Sequence, residues 1–474
     1  MNRYQKLFSD TVILGLGTFG SKLLVFLLMP LYTAYLSTSQ YGTAELITST
    51  ANLLIPLACV GITNGIFRFA AEREADQQAV FSSSVALLGL GIGGFLVLSP
   101  LLSLIDFFTG YTWLIVAYVV SANLQAICAQ YVRAVDRARL FAVQGILNTL
   151  LTILFNVLFL VAFDMGVTGY VLSVVIGNLL TTVFLVVSAR LWQVFRVGKI
   201  QKGIMKTLLR FSLPLVPTTV CWLITDLSDR YMVTYFCGEA VNGVYSAAYK
   251  IPTIVNLISA IFMQAWQFSA VAQSSDEETC KSFYSEVYRG FLSVIMIGAS
   301  VLILCSRFLS GLLLNSAYFE AWRFMPTLLC ATALEAIVSF LATVYMVRKR
   351  SMHSFVTAMI GTVINVILNF LLIPRMGALG AAVATLASYA VVLVARLIDT
   401  PRMIRFKTCL PRLAVSVALL CASAAVMTFS EWGRIPWTML ITAITVAVNA
   451  PALLGSMKRL FKKITKKSEN DVKL

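Results

Sequence analysis

Long apolar stretches separated by short polar breaks recur from one end of the chain to the other. Most of them reach the ~18–25 residues that a helix needs to cross ~30 Å of hydrocarbon. Spans are predicted at 10–35, 41–65, 79–105, 111–132, 141–163, 167–189, 208–236, 240–270, 287–306, 318–346, 353–373, 378–396, 410–429 and 435–456. A transmembrane β-barrel would instead show short segments alternating in polarity. The pattern predicts an all-α membrane protein with about fourteen transmembrane helices. The last two, and the join between the seventh and eighth, carry the weakest signal. The apolar run Thr11–Tyr35 is longer than the core of a signal peptide and lacks a small-residue cleavage site, so it is read as a retained first span. The largest connections, around Arg190–Lys206 and Ser274–Arg289, are each under about 20 residues, so no separate soluble domain is expected.

Composition agrees with this pattern: 59% of the 474 residues are hydrophobic, 12% are charged, and mean hydropathy is +0.85. The net charge of +16 raises the question of nucleic acid, but the basic residues form no aromatic-interleaved patch or known motif. Their placement is instead a topology signal. Thirty of the 37 Lys and Arg fall in the termini and the loops after even-numbered spans, and four (Arg307, Arg323, Arg375, Arg434) fall on the other side. Three more, Lys22, Arg230 and Lys250, lie within spans. Both termini are therefore expected in the cytoplasm. The nine cysteines are scattered singly, which predicts neither disulfides nor a metal site.

The chain also echoes itself at a spacing of roughly 200 residues. Tyr35-Leu-Ser-Thr-Ser-Gln-Tyr-Gly42 is matched by Tyr235-Phe-Cys-Gly-Glu-Ala-Val-Asn-Gly243. Leu154-Phe-Asn156 leading into Met165-Gly-Val-Thr-Gly169 is matched by Ile367-Leu-Asn369 leading into Met376-Gly-Ala-Leu-Gly380. Two matches in the same order predict two copies of a six-helix bundle, residues 1–205 and 206–405. Two added helices (406–457) and a basic cytoplasmic tail (458–474) follow. Duplicated bundles are a common transporter plan, with the substrate site at the repeat interface.

Several pieces in fixed order strengthen that reading. They are Gly20-Ser-Lys22, Met29-Pro30-Leu-Tyr-Thr33, Gln40-Tyr-Gly42, Asp229-Arg230-Tyr231, Gly243-Val-Tyr-Ser-Ala-Ala-Tyr-Lys-Ile-Pro252, Asn365-Val-Ile-Leu-Asn369 and Gly377-Ala-Leu-Gly-Ala-Ala382. Together they resemble the polysaccharide transporter (O-antigen, Wzx-type flippase) family of the multidrug/oligosaccharidyl-lipid/polysaccharide exporter superfamily. The resemblance implies a MATE-like V-shaped pair of bundles. It also implies transport of a polyprenyl-diphosphate-linked oligosaccharide across the cytoplasmic membrane of a bacterium, for lipopolysaccharide, capsule or another surface glycan, alongside glycan polymerase machinery.

Ionisable groups at membrane depth cost at least ~2.5–3.5 kcal/mol each near a helix centre, so they usually face a cavity or a partner. The cations Lys22, Arg230 and Lys250 are the candidates to hold a diphosphate. Asp226, Asp229 and Glu335 are the candidates to bind a coupling H⁺ or Na⁺, and Glu45 is read as interfacial. The plainer alternative is that Asp226 and Arg230, one turn apart, neutralise each other and that Lys22 meets a backbone carbonyl. Pro30, Pro214 and Pro217 are expected to start or kink helices. No nucleotide-binding loop occurs, so an ion gradient or the membrane potential would drive transport, with no cofactor. A multidrug cation antiporter and a peptidoglycan-precursor flippase remain open alternatives. A membrane polymerase or acyltransferase is disfavoured, because the only histidine, His353, sits at a cytoplasmic helix end and no catalytic constellation appears.

Overall fold

The computed structural model describes residues 28–71, 76–104, 109–272, 277–348 and 350–472, and all its regular structure is helical. Lys22 and most of the first expected span lie outside the described residues. Ten helices there are long and apolar enough to cross a membrane, and an eleventh span appears if one bent pair is counted. The expected fourteen is therefore not reached among the described residues. The chain divides into two compact units, residues 1–243 and 244–474.

The first unit begins with α1 (Met29–Tyr35), α2 (Thr38–Ala58), α3 (Ile62–Ala70), α4 (Gln77–Leu98), α5 (Thr112–Ala134), α6 (Ala138–Asn156) and α7 (Gly166–Ala189). It continues through α8 (Lys202–Ser212) and α9 (Val216–Cys237) into the start of α10 (Glu239–Tyr249). Its apolar core joins α3, α4, α5 and α7 through residues such as Ile66, Phe81, Tyr131 and Leu185. The Tyr35–Gly42 motif starts α2. Ser37 accepts from the Gln40 backbone N–H at 3.2 Å, and the Gln40 side chain accepts from the Ser37 N–H at 3.0 Å, which caps both free donors. The matching Gly243 lies against it: a Cβ on Gly42 would overlap the Glu239 carbonyl and the Gly243 nitrogen. Glu239 also accepts from the Ser39 and Thr43 hydroxyls at 2.7 and 3.2 Å, and Asn242 donates to the Gly42 carbonyl at 3.1 Å. The two echoed segments thus meet at a glycine-to-glycine crossing.

The seventh span, expected to start at residue 208, does not begin there; residues 202–212 form the separate amphipathic α8. It buries Leu208 against Ile62 and Leu87 and exposes Lys202, Lys206 and Arg210 along its other side. Pro214 and Pro217 then start the span proper at Val216.

The second unit holds the end of α10, then α11 (Thr253–Ala272), α12 (Glu277–Leu313), α13 (Met325–Val347), α14 (Ser351–Met376), α15 (Ala378–Asp399), α16 (Leu410–Phe429) and α17 (Arg434–Val472). The eighth expected span is broken: α10 and α11 meet at 44° across Lys250-Ile-Pro252, as a proline without an N–H dictates. The stretch read as a loop at 274–289 belongs largely to α12, whose helix begins at Glu277. α13 is the unit's central helix, with 83% of its apolar stretch buried. Around it Trp266 stacks on Phe340 at 5.1 Å and donates its indole N–H to Thr343 at 3.1 Å. The two appended spans appear as α16 and α17, which pack on each other and on α12.

Each Met-Gly-x-x-Gly motif makes a helix-to-helix turn. Gly166 and Gly377 both take positive φ (+52° and +63°), and both preceding asparagines, Asn156 and Asn369, are buried in the outgoing helix.

Candidate functional site

The polar groups of the first unit collect where α2 and α9 pack side by side. Both are long enough to span a membrane, at 21 and 22 residues, yet neither is among the ten helices apolar enough to be counted as spans. On α2, Tyr41, Glu45, Ser49 and Asn52 recur at intervals of three or four residues and so share one face. On α9, Thr219, Asp226 and Arg230 recur on one face in the same way.

Glu45 is the centre of the cluster. It is buried within the protein, 3% exposed. One carboxylate oxygen accepts from the Tyr41 hydroxyl at 2.9 Å and from the Tyr170 hydroxyl at 3.0 Å. The other faces the Arg230 guanidinium of α9 at 3.7 Å. Tyr170 stands one residue past the Met165–Gly169 turn, so that turn aims its ring at the acid. The Tyr32 ring of α1 packs edge-on against Tyr170 at 4.8 Å, which closes the apolar side of the cage.

Arg230 itself is partly buried. Its second arm donates to the Ser49 hydroxyl, so two residues of α2 fix one guanidinium from α9. One residue on, the Tyr231 and Thr50 hydroxyls meet at 3.0 Å. Asp229 is buried and Asp226 is exposed. Between the same two helices lies a cavity of about 390 Å³ lined by Asn52, Thr63, Thr219 and apolar side chains. Asn52 is one turn from Ser49, so the cavity continues the polar stripe. This arrangement can hold an anion at Arg230, or exchange a proton or small cation at Glu45.

The structure therefore brings Arg230 together with Asp226 and Asp229 and adds Glu45, Tyr41, Tyr170 and Ser49. Besides Asp226 one turn away on its own helix, Arg230 has Glu45 facing it across the helices. Lys250 and Glu335 lie in the other unit. Lys250 sits in the break between α10 and α11 rather than inside a helix, and Glu335 sits half-buried on α13. The signal that could have found Glu45 is the helical spacing of Tyr41, Glu45, Ser49 and Asn52.

Residues 7–268 match the family described as polysaccharide biosynthesis protein. No curated protein matches the chain by sequence. Among solved structures, a lipid II flippase MurJ in an inward closed conformation superposes with a TM-score of 0.72 at 13% identity, over 96% of this chain and 100% of that one. An inward-facing multidrug resistance MATE family transporter of the MOP superfamily gives 0.67 at 14% identity, over 81% of this chain and 96% of that one. An outward-facing one gives 0.61 at 15% identity, over 84% and 95%. At these identities the likeness establishes the fold, a multi-pass helical membrane fold shared with MurJ and MATE transporters.

Proposed function

We propose, from the premise that the chain belongs to the polysaccharide biosynthesis protein family, that it moves a polyprenyl-diphosphate-linked oligosaccharide across the cytoplasmic membrane of a bacterium. The observation that carries this reading is the Arg230 guanidinium, held between α9 and α2 by Ser49 and Glu45, two helical turns along α9 from a cavity between the same helices. An arginine fork suits a diphosphate, and a desolvated one strengthens every contact it makes.

The same pair supplies a means of coupling. While Glu45 is ionised it competes with the diphosphate for Arg230. A proton or Na⁺ bound at Glu45 cancels that competition and frees the guanidinium for the substrate. Loss of the ion on the other side restores the pair and expels the head group. Glu45 thus joins Asp226, Asp229 and Glu335 as a candidate for the coupling ion. No bond in the substrate is made or broken. Lys22 and Lys250 are further cations that the sequence assigns to the head group, and the charge pattern of the loops puts both termini in the cytoplasm.

The test is flipping of a defined polyprenyl-diphosphate oligosaccharide in proteoliposomes. Losing one charge-assisted contact of ~1.5–3 kcal/mol predicts that Arg230→Gln flips about ten- to hundredfold more slowly. Flipping at the unaltered rate in that variant would sink the proposal. A second reading, export of organic cations, is favoured by one observation: three carboxylates (Glu45, Asp226, Asp229) stand with a single guanidinium and three tyrosine rings. It predicts drug resistance in cells expressing the protein and no flipping in liposomes.

A further inference from the structure

A separate cavity of about 370 Å³ lies in the second unit between α12, α16 and α17. That is far more than the ~10–15 Å³ one water needs. Glu286 and Arg289 of α12 and Arg412 of α16 line it on one side, and Val448, Pro451 and Ala452 of α17 on the other. We propose that this pocket binds the phosphate of an anionic phospholipid headgroup, with Arg289 and Arg412 as its ligands. Nothing in the transport cycle proposed above requires it.

The depth is that of a headgroup. Arg412 is the third residue of α16, and Gly455, also in the lining, ends the apolar part of α17. Arg289 lies only eight residues, about 12 Å, into the span that starts at Lys281. Three spans therefore present the same end to the cavity, at the edge of the hydrocarbon. The exposed basic residues Arg402, Arg405 and Lys407 precede α16. That stretch is pinned beside α12, because the Lys407 backbone N–H donates to the Ser285 hydroxyl at 2.8 Å.

The charges are arranged for an anion. Arg412 donates to the Arg289 backbone carbonyl at 3.2 Å, which holds the two residues next to each other. The Nε of each is buried with no hydrogen-bond partner among the described residues, and a buried unmet donor is costly. Two guanidiniums against one lining carboxylate, Glu286, leave the pocket positive. A phosphate in the cavity would offset the mutual repulsion of the two guanidiniums. The lipid source follows from the surroundings: Leu410 and Leu454, flanking the pocket on α16 and α17, are exposed and give acyl chains an apolar track. Basic pockets between helices at this level are a recurrent mode of anionic-lipid recognition.

The experiment uses the full-length protein in detergent, with native mass spectrometry and thermal unfolding. Phosphatidylglycerol, phosphatidylcholine or inorganic phosphate is added in turn. Phosphatidylglycerol should remain bound and raise Tm, and phosphatidylcholine should do neither. Arg289→Gln/Arg412→Gln should weaken phosphatidylglycerol binding about tenfold or more. Glu286→Gln, which removes the opposing charge, should strengthen it severalfold. That gain of binding keeps the proposal testable even if the arginine variants do not fold. Equal retention of the two lipids, or unchanged binding in the arginine variants or in Glu286→Gln, would overturn the proposal. A shift reproduced by inorganic phosphate alone would also overturn it, by assigning the pocket to free phosphate.

Discussion

Glu45 is the residue whose removal should cost the first unit most. It is 3% exposed, accepts two phenolic hydrogen bonds at 2.9 and 3.0 Å, and faces Arg230 at 3.7 Å. Hydrogen bonds to a charged group contribute ~1.5–3 kcal/mol each, and taking one member from a buried ion pair costs ~3–5 kcal/mol. These figures overlap, because the same desolvated carboxylate is counted in both, so Glu45→Ala should destabilise by about 3–5 kcal/mol. Glu45→Gln keeps an oxygen that both tyrosines can reach and loses only the charge, so about 1–2 kcal/mol is expected. The Arg230 contact is longer than a good hydrogen bond and its side chain is 15% exposed, so the pair itself contributes at the low end. A double-mutant cycle of Glu45→Gln with Arg230→Gln should return about 1–2 kcal/mol of coupling. The assay is reversible unfolding in mixed micelles, with all four proteins in one detergent composition. Coupling below about 0.5 kcal/mol would refute the reasoning, since that is the scatter of independent sites. So would Glu45→Ala no less stable than Glu45→Gln, which would show that the tyrosine cage does not hold the acid.

The remaining predictions use other readouts. If Glu45 couples ion movement to transport, Glu45→Gln in proteoliposomes should flip substrate at a rate that no longer responds to an imposed H⁺ or Na⁺ gradient; a preserved response would remove Glu45 from the coupling step. Gly42→Ala should lower the yield of folded protein, because its Cβ would overlap backbone atoms of Glu239 and Gly243. Gly89→Ala on α4, where a Cβ meets nothing, should be neutral or stabilising by up to about 1 kcal/mol; equal effects on folded yield would refute the crossing. Asp76, at the start of α4 and outside the spans, has its carboxyl pushed below the usual range, first by the Lys199 ammonium at 2.8 Å and then by the Ala79 backbone N–H. A lowered folded value means that its stabilisation is present above the ordinary carboxyl value, ~3.9, and is lost as pH falls through the folded one. The pair's contribution to thermal stability should therefore be constant between pH 7 and pH 5, and Asp76→Asn should remove part of the decline below about pH 4.

What could be read from the sequence, and what could not, divides along one physical line. Apolar length, turn chemistry and helix caps are local, and they were legible. The spans at 410–429 and 435–456 recur in α16 and α17, the two Met-Gly-x-x-Gly motifs are turns, and Ser37 with Gln40 caps α2. Interruptions inside an apolar stretch were harder. Hydropathy averages over a window, so the Pro252 break was absorbed into one span, and the amphipathic α8 was merged with the helix behind it. Partners at long range were not legible. Nothing near Glu45 in the chain other than Tyr41 indicates that it meets Tyr170 and Arg230, which lie 125 and 185 positions away. By hydropathy alone its position near the start of a span looks like an interface. The decisive clue is relational: α2 and α9 are long helices that fall short in apolarity, each carries a polar stripe at helical spacing, and the stripes place Glu45 on one helix and Arg230 on the other. In a bilayer neither stripe can stay unmatched, since a bare charge costs several kcal/mol. Two such helices in one compact unit must therefore turn those stripes toward each other or toward water. That requirement, more than either charge taken singly, is what marks the pair as the place where an ion and a charged head group could compete for the same guanidinium.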